Sequence, residues 1–118
     1  MSFSLHFFIC SDLFAQIDED DEESAEITEQ RILEVNREIE ISRVGIEGIQ
    51  TNAGIYDQSL IEAYWSLAEL YNELKDYESA SDILLDALQI ARINLGLYSS
   101  EQIPLVRLLI DNQVKEQD

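Results

Sequence analysis

Glu69 and Glu73 stand one helical turn apart in the stretch "AELYNE". That spacing sets two carboxylates side by side, an arrangement able in principle to pass a proton or to hold a divalent cation. Little else in the chain could join them. Histidine and cysteine occur once each, as His6 and Cys10, so Ser-His-Asp or Cys-His chemistry would have to run through His6 alone. The same count excludes a disulfide framework and a multi-ligand Cys/His metal site. There is no Gly-rich phosphate loop. Six consecutive acids, Asp18 to Glu23, invite a calcium reading, but an EF-hand loop wants alternating ligands and a Gly at its sixth position, where Glu23 stands. Paired helical glutamates are ordinary on solvated surfaces. The residues therefore point to a non-catalytic chain, with no cofactor and no metal expected.

Charge narrows the partner class. The 118 residues carry 25 Asp+Glu against 7 Lys+Arg, a formal net charge of -18. Such a surface repels phosphate backbones and anionic membranes, which argues against nucleic acid. It favours a basic or polar protein segment as guest. At 46% hydrophobic content the chain has the makings of one small domain with a modest core.

The N-terminal part, residues 1–23, reads differently from the rest. Phe3 to Cys10 is apolar but too short to span a bilayer. Ala15 suits the residue before a signal-peptidase cut, yet no Lys or Arg precedes the apolar run. Two readings stand: a degenerate signal peptide, which would place the mature chain outside the cytoplasm and remove its only Cys, or an apolar tail on a cytoplasmic protein. The acidic run that follows cannot bury anything and reads as a solvated linker.

From residue 24 the pattern turns helical. Ile32, Val35, Ile39, Ile46 and Ile49 mark one apolar face, with Thr28 and Ser42 in the same seam. Glu34 with Arg37, and Arg43 with Glu40 and Glu47, read as exposed charge pairs. Gly45 and Gly48 each cost about 1 kcal/mol in a helix interior, so this helix is expected to fray there or to meet a neighbouring backbone. It should end near Gln50, with "TNAG" as the turn. Asp57 is a credible cap for a second helix bearing Leu60, Tyr64, Leu67, Tyr71 and Leu74 on one stripe. After the "KDY" turn a third helix shows Ala80, Leu84, Ala87, Ala91 and Leu95 on one face and Ile83 with Ile90 on another. Gly96 ends it. Ser99 with Gln102 suggests a capping box for a fourth helix whose buried face is Leu105, Leu108 and Leu109. The expected helices are 24–50, 58–74, 77–95 and 100–115, with no strand.

Two antiparallel helices joined by a very short turn pack closely only where small side chains meet. Ala68, Ala80 and Ala87 are such residues. Together with Tyr64, Leu67, Tyr71 and Leu84 they give a pattern that resembles the tetratricopeptide repeat. The chain departs from it at the helix–helix turn, where Gly is common and Leu74 or Lys75 stands, and at Arg92, where Pro is common. The segment "RINLGLYSSEQIPLVRLL" is similar to the longer, kinesin-light-chain-like variety, with a period of about 42 rather than about 34 residues, and to bacterial repeat proteins. At that offset Ile61 and Leu67 fall on Ile103 and Leu109.

The resemblance implies an all-α, short right-handed α-solenoid of about four antiparallel helices. It implies a protein–protein interaction module, an adaptor or assembly factor, holding a peptide or helix in a shallow groove lined by the first helix of each pair. The family's groove positions carry over to Glu62, Trp65, Glu69, Asn72 and Glu73, with Arg107 and Asp111 from the last helix. Trp65 has two readings, core cover over the first helix or an anchor that stacks on the guest. The rival expectation is a structural homo-oligomer, in which copies cover the open ends of so short an array.

Overall fold

The computed structural model describes residues 27–117; the apolar segment and acidic linker expected in residues 1–23, and the start of the helical domain at residue 24, lie outside them. The chain divides into two compact units, residues 1–32 and 33–118. Of the first, the described part is Ile27–Ile32, the cap and opening turn of a helix. The described residues form four α-helices and no strand: α1 (Glu29–Ala53), α2 (Leu60–Glu73), α3 (Tyr77–Leu95) and α4 (Gln102–Gln117). The fold class is all-α. None of these helices is long and apolar enough to cross a membrane.

Helix α1 differs from expectation at both ends. Thr28 lies before the helix, and its hydroxyl accepts the Arg31 backbone N–H at 3.2 Å, a cap that a seam position would have wasted. At the far end the helix runs through "TNA" to Ala53, and the turn falls on Gly54 at φ 112°, a conformation open to Gly at little cost. Neither expectation for Gly45 and Gly48 holds. The helix is continuous across them, and a Cβ added at either would meet nothing within 4 Å. Val35, Ile39 and Ile46 are buried, as the seam predicts.

Of the next two turns, one is closed by a side chain and the other by the backbone. Asp57 is not the cap of α2 that its position suggested: the helix begins at Leu60 after Ser59, whose side chain makes no cap, and the Asp57 carboxylate instead closes the preceding turn, accepting the Ser59 N–H at 3.0 Å as well as the Ser59 hydroxyl. At the other end Lys75 adopts φ 61°. Its N–H reaches the Asn72 carbonyl at 2.9 Å, and the Asp76 N–H reaches that of Tyr71 at 3.0 Å, so the last carbonyls of α2 are satisfied in a Schellman turn. Lys occupies the left-handed position that Gly usually takes. Asp76 then caps α3 by accepting from the Ser79 N–H at 3.2 Å, so a single residue both ends one helix and starts the next.

Close backbone approach occurs between α2 and α3 and between α3 and α4. Ala68, Ala80, Ala87 and Ala91 are all fully buried, which is what lets α2 and α3 pack tightly. Around them Leu60, Leu67 and Leu84 are almost wholly buried, with Leu105 on α4, each side chain contributing about 1.5–3 kcal/mol. Leu88, which the sequence pattern did not single out, joins this core, whereas Leu108 and Leu109 are only half-buried.

The link from α3 to α4 is organised by Gln102. Its amide nitrogen donates to the Gly96 carbonyl at 2.7 Å and to the Ser99 hydroxyl at 3.3 Å, and its oxygen accepts from Arg92 Nε at 3.2 Å. The Ser99–Gln102 partnership is thus real but is made between side chains. Asn94 performs the corresponding task at the other loop, donating to the carbonyls of Tyr56 at 2.7 Å and Ile90 at 3.0 Å.

Candidate partner-binding groove

Glu62, Trp65, Glu69, Asn72 and Glu73 share one side of α2 by helical spacing. That side leads into a depression of about 610 Å³ lined by Ile61, Glu62, Trp65, Leu95, Glu101, Pro104 and Leu105, among others. Its floor is apolar, with Trp65 half-buried and Leu105 buried beneath it. Its rim is acidic, because Glu62 and Glu101 are both exposed at its edge. The helices supplying it are α2 and α4, each of which follows a tight loop, and the end of α3 closes it between them.

Trp65 is held in place as well as partly exposed. Its indole N–H donates to the Glu69 carboxylate one turn further along α2, which fixes the ring orientation and turns one of the two paired glutamates into a positioning group. Asn72 is half-buried, and its side-chain oxygen has no hydrogen-bond donor in the structure. Glu73 is the last residue of α2 and is exposed.

Arg107 and Asp111 stand apart from this groove. They line a second depression, also about 610 Å³, with Tyr98, Ile103, Val106 and Ile110. The reason is helical geometry: Arg107 follows Leu105 by two residues, about 200° around α4, so burying Leu105 turns Arg107 outward. Of the carried-over positions, Glu62 and Trp65 line the first depression and Arg107 and Asp111 the second, while Glu69, Asn72 and Glu73 line neither. Glu101 belongs to the first depression and was missed because it lies in the link before α4, where a helix-face pattern has no reach.

No family model, curated protein or solved structure matches the chain. The groove must be read from its own chemistry.

Two further features shape the electrostatics near α2. Desolvation raises the Tyr64 phenol above its ordinary range, and the Asp86 carboxylate adds to this, while the hydrogen bond from Gln50 opposes it. Asp86 is itself raised, first by desolvation and then by Asp82 one turn away. Asp57 moves the other way, lowered by its side-chain and backbone hydrogen bonds with Ser59. Among the described residues no group of three or more His, Cys, Asp or Glu is arranged to hold a metal ion.

Proposed function

We propose that the chain is a non-catalytic protein-interaction module of tetratricopeptide-like construction, and that the groove between α2 and α4 holds a basic or polar segment of a partner protein. The observation that carries this reading is the pairing of an apolar floor, Trp65 with Leu95 and Leu105, with the exposed carboxylates of Glu62 and Glu101 at its edge. An apolar floor gives a guest side chain a place to bury, and an acidic rim favours Lys or Arg flanking that side chain. The short α2–α3 turn and the buried alanines support the repeat-like construction. Catalysis has less to draw on, since Glu69 is engaged by Trp65.

The test uses the fluorescence of Trp65, the only tryptophan in the chain. Titration with peptides pairing an aromatic or Leu anchor with flanking Lys or Arg should shift its emission, whereas acidic counterparts should not. Glu62→Gln combined with Glu101→Gln should weaken the basic peptides and make their binding less dependent on salt. Equal responses to basic and acidic peptides would remove the electrostatic reading. An unresponsive Trp65 across the whole set would place the binding surface elsewhere.

A further inference from the structure

Helix α4 is apolar on two opposite sides. One side buries Leu105 and Asn112; the other presents Ile103, Val106, Ile110 and Val114 to solvent, at steps of three, four and four that make one continuous stripe. Ile103, Ile110 and Val114 are each 57% exposed, and Tyr98 at the start of the stripe is 98% exposed. A helix with two apolar faces is built for two neighbours.

The charges say what the second neighbour is. On a chain of net charge -18, α4 alone among the four helices is balanced, Arg107 and Lys115 standing against Asp111 and Glu116. Arg107 and Asp111 lie on the same flank of the stripe, one turn apart, and both line the depression beside it. If a second α4 runs antiparallel across the stripe, that flank meets its own copy in reverse. Ile103 then lies opposite Val114, Val106 opposite Ile110, and Arg107 opposite Asp111, with midpoints that fall within about half a residue of the point between residues 108 and 109. Both the apolar stripe and the charged flank are self-complementary in this one register. A parallel arrangement would bring opposite flanks together and give Arg107 no Asp111 of the other copy to face.

We infer that the chain forms a two-fold symmetric dimer through antiparallel contact of α4 with α4 of a second copy, the stripe Ile103–Val106–Ile110–Val114 forming its core and Arg107–Asp111 pairs its edge. The symmetry is the usual one for homodimers, with one patch serving both partners. A neutral face also lets two such acidic chains meet with less repulsion than the acidic faces of the other helices would give. The stripe lies on the far side of α4 from Leu105, so the contact leaves the Trp65 groove open and yields two grooves per particle. The inference is independent of what that groove holds.

The experiment is sedimentation and light scattering of the full chain at about 1 to 100 µM. The wild type should run at twice the 13.5 kDa chain mass, and Ile110→Asp at the chain mass with unchanged helical content, because Ile110 makes no part of the folded core. Arg107→Glu and Asp111→Arg each place like charges opposite one another at both ends of the contact, so each alone should weaken self-association by about tenfold or more. Mixed together, the two variants restore opposite charges in both pairs, and a heterodimer should form at close to wild-type affinity. A wild type that stays monomeric across the range would overturn the inference, as would a dimer indifferent to Ile110→Asp. A mixture that fails to regain affinity would overturn the antiparallel register, and with it the stated contact.

Discussion

The Gln50 side-chain amide donates to the Tyr64 hydroxyl at 3.0 Å, and seven residues away on each helix Arg43 meets the hydroxyl of Tyr71. Seven residues are two helical turns, so the two contacts recur in register along antiparallel α1 and α2. The Arg43 guanidinium also lies 5.6 Å from the centre of the Tyr71 ring, within cation–π range. These contacts add the polar tips of long side chains to the apolar seam of Val35, Ile39 and Ile46, which is buried along the same helix. Arg43 thus does more than pair with glutamates on an exposed face.

Removing those hydroxyls should loosen α1 selectively. Tyr64→Phe is expected to cost about 1 kcal/mol, the usual worth of one part-buried hydrogen bond, and Tyr71→Phe less, because its ring keeps the cation–π contact. Amide hydrogen exchange should rise in α1 more than in α2 and α3 for both variants. Uniform acceleration across all four helices would show that the contacts stabilise the whole fold rather than one junction.

The two interior glycines of α1 predict gains. Each stands in a continuous helix with open space where a Cβ would go, so Gly45→Ala and Gly48→Ala should each raise stability by about 0.5–1 kcal/mol. Gly54→Ala should lower it, since φ 112° is strained for any L side chain. Thermal melts of the three variants check the contrast. Loss of stability at Gly45 or Gly48 would imply that a second chain approaches α1 there.

The all-helical fold was legible because its signals are local. The spacing of Leu60, Tyr64 and Leu67, the small residues at 68, 80 and 87, and the stop at Gly96 each act within a few residues, and the α3 limits match the expected 77–95, whereas α2 starts at Leu60 instead of 58. The α1 end was misread because "TNAG" looks like a turn, while only its Gly needs to leave the helix. The two surface depressions were less legible. Glu62 and Trp65 line one depression, but Arg107 and Asp111 line another, since which side of α4 is buried depends on Leu105 packing across the interface. The outward stripe on α4 escaped notice for the same reason: its apolar residues alternate with Leu105, Leu108 and Leu109, and periodicity alone does not say which set turns inward.

Acid should act on this fold through opposing carboxylates. Asp57 is held below its ordinary range in the folded state, so its stabilising effect is present above the unfolded-state pKa and fades as pH falls through the lower folded value. Asp86 is raised, so protonation favours the fold and its ionised form is a liability at neutral pH. Asp86→Asn should therefore raise the melting temperature at pH 7 and leave it nearly unchanged near pH 3, whereas Asp57→Asn should lower it at pH 7. Paired melts across that range decide the matter. A gain from Asp86→Asn that is the same at both pH values would trace to packing instead of charge.

Ala80 and Asn112 are both wholly buried, and the same replacement should move stability in opposite directions at the two sites. Ala80 sits where α2 and α3 pack closely, so Ala80→Leu must push side chains or helices apart, at a cost of about 1–3 kcal/mol. Asn112 lies on the buried side of α4 with neither its amide nitrogen nor its oxygen hydrogen-bonded. Leaving such groups dry and unmatched costs about 1–3 kcal/mol, and Leu repeats the branching of Asn with two methyl groups that have nothing to satisfy. Asn112→Leu is therefore expected to raise the urea midpoint by an amount in that range, while the glutamate control Glu69→Gln, on the exposed side of α2, leaves the midpoint close to wild type. The slope of the unfolding curve should stay constant throughout, because each change alters stability and not the surface exposed on unfolding. A lower midpoint for Asn112→Leu would mean that the amide finds partners in solution, and a neutral Ala80→Leu would mean that α2 and α3 can separate without loss.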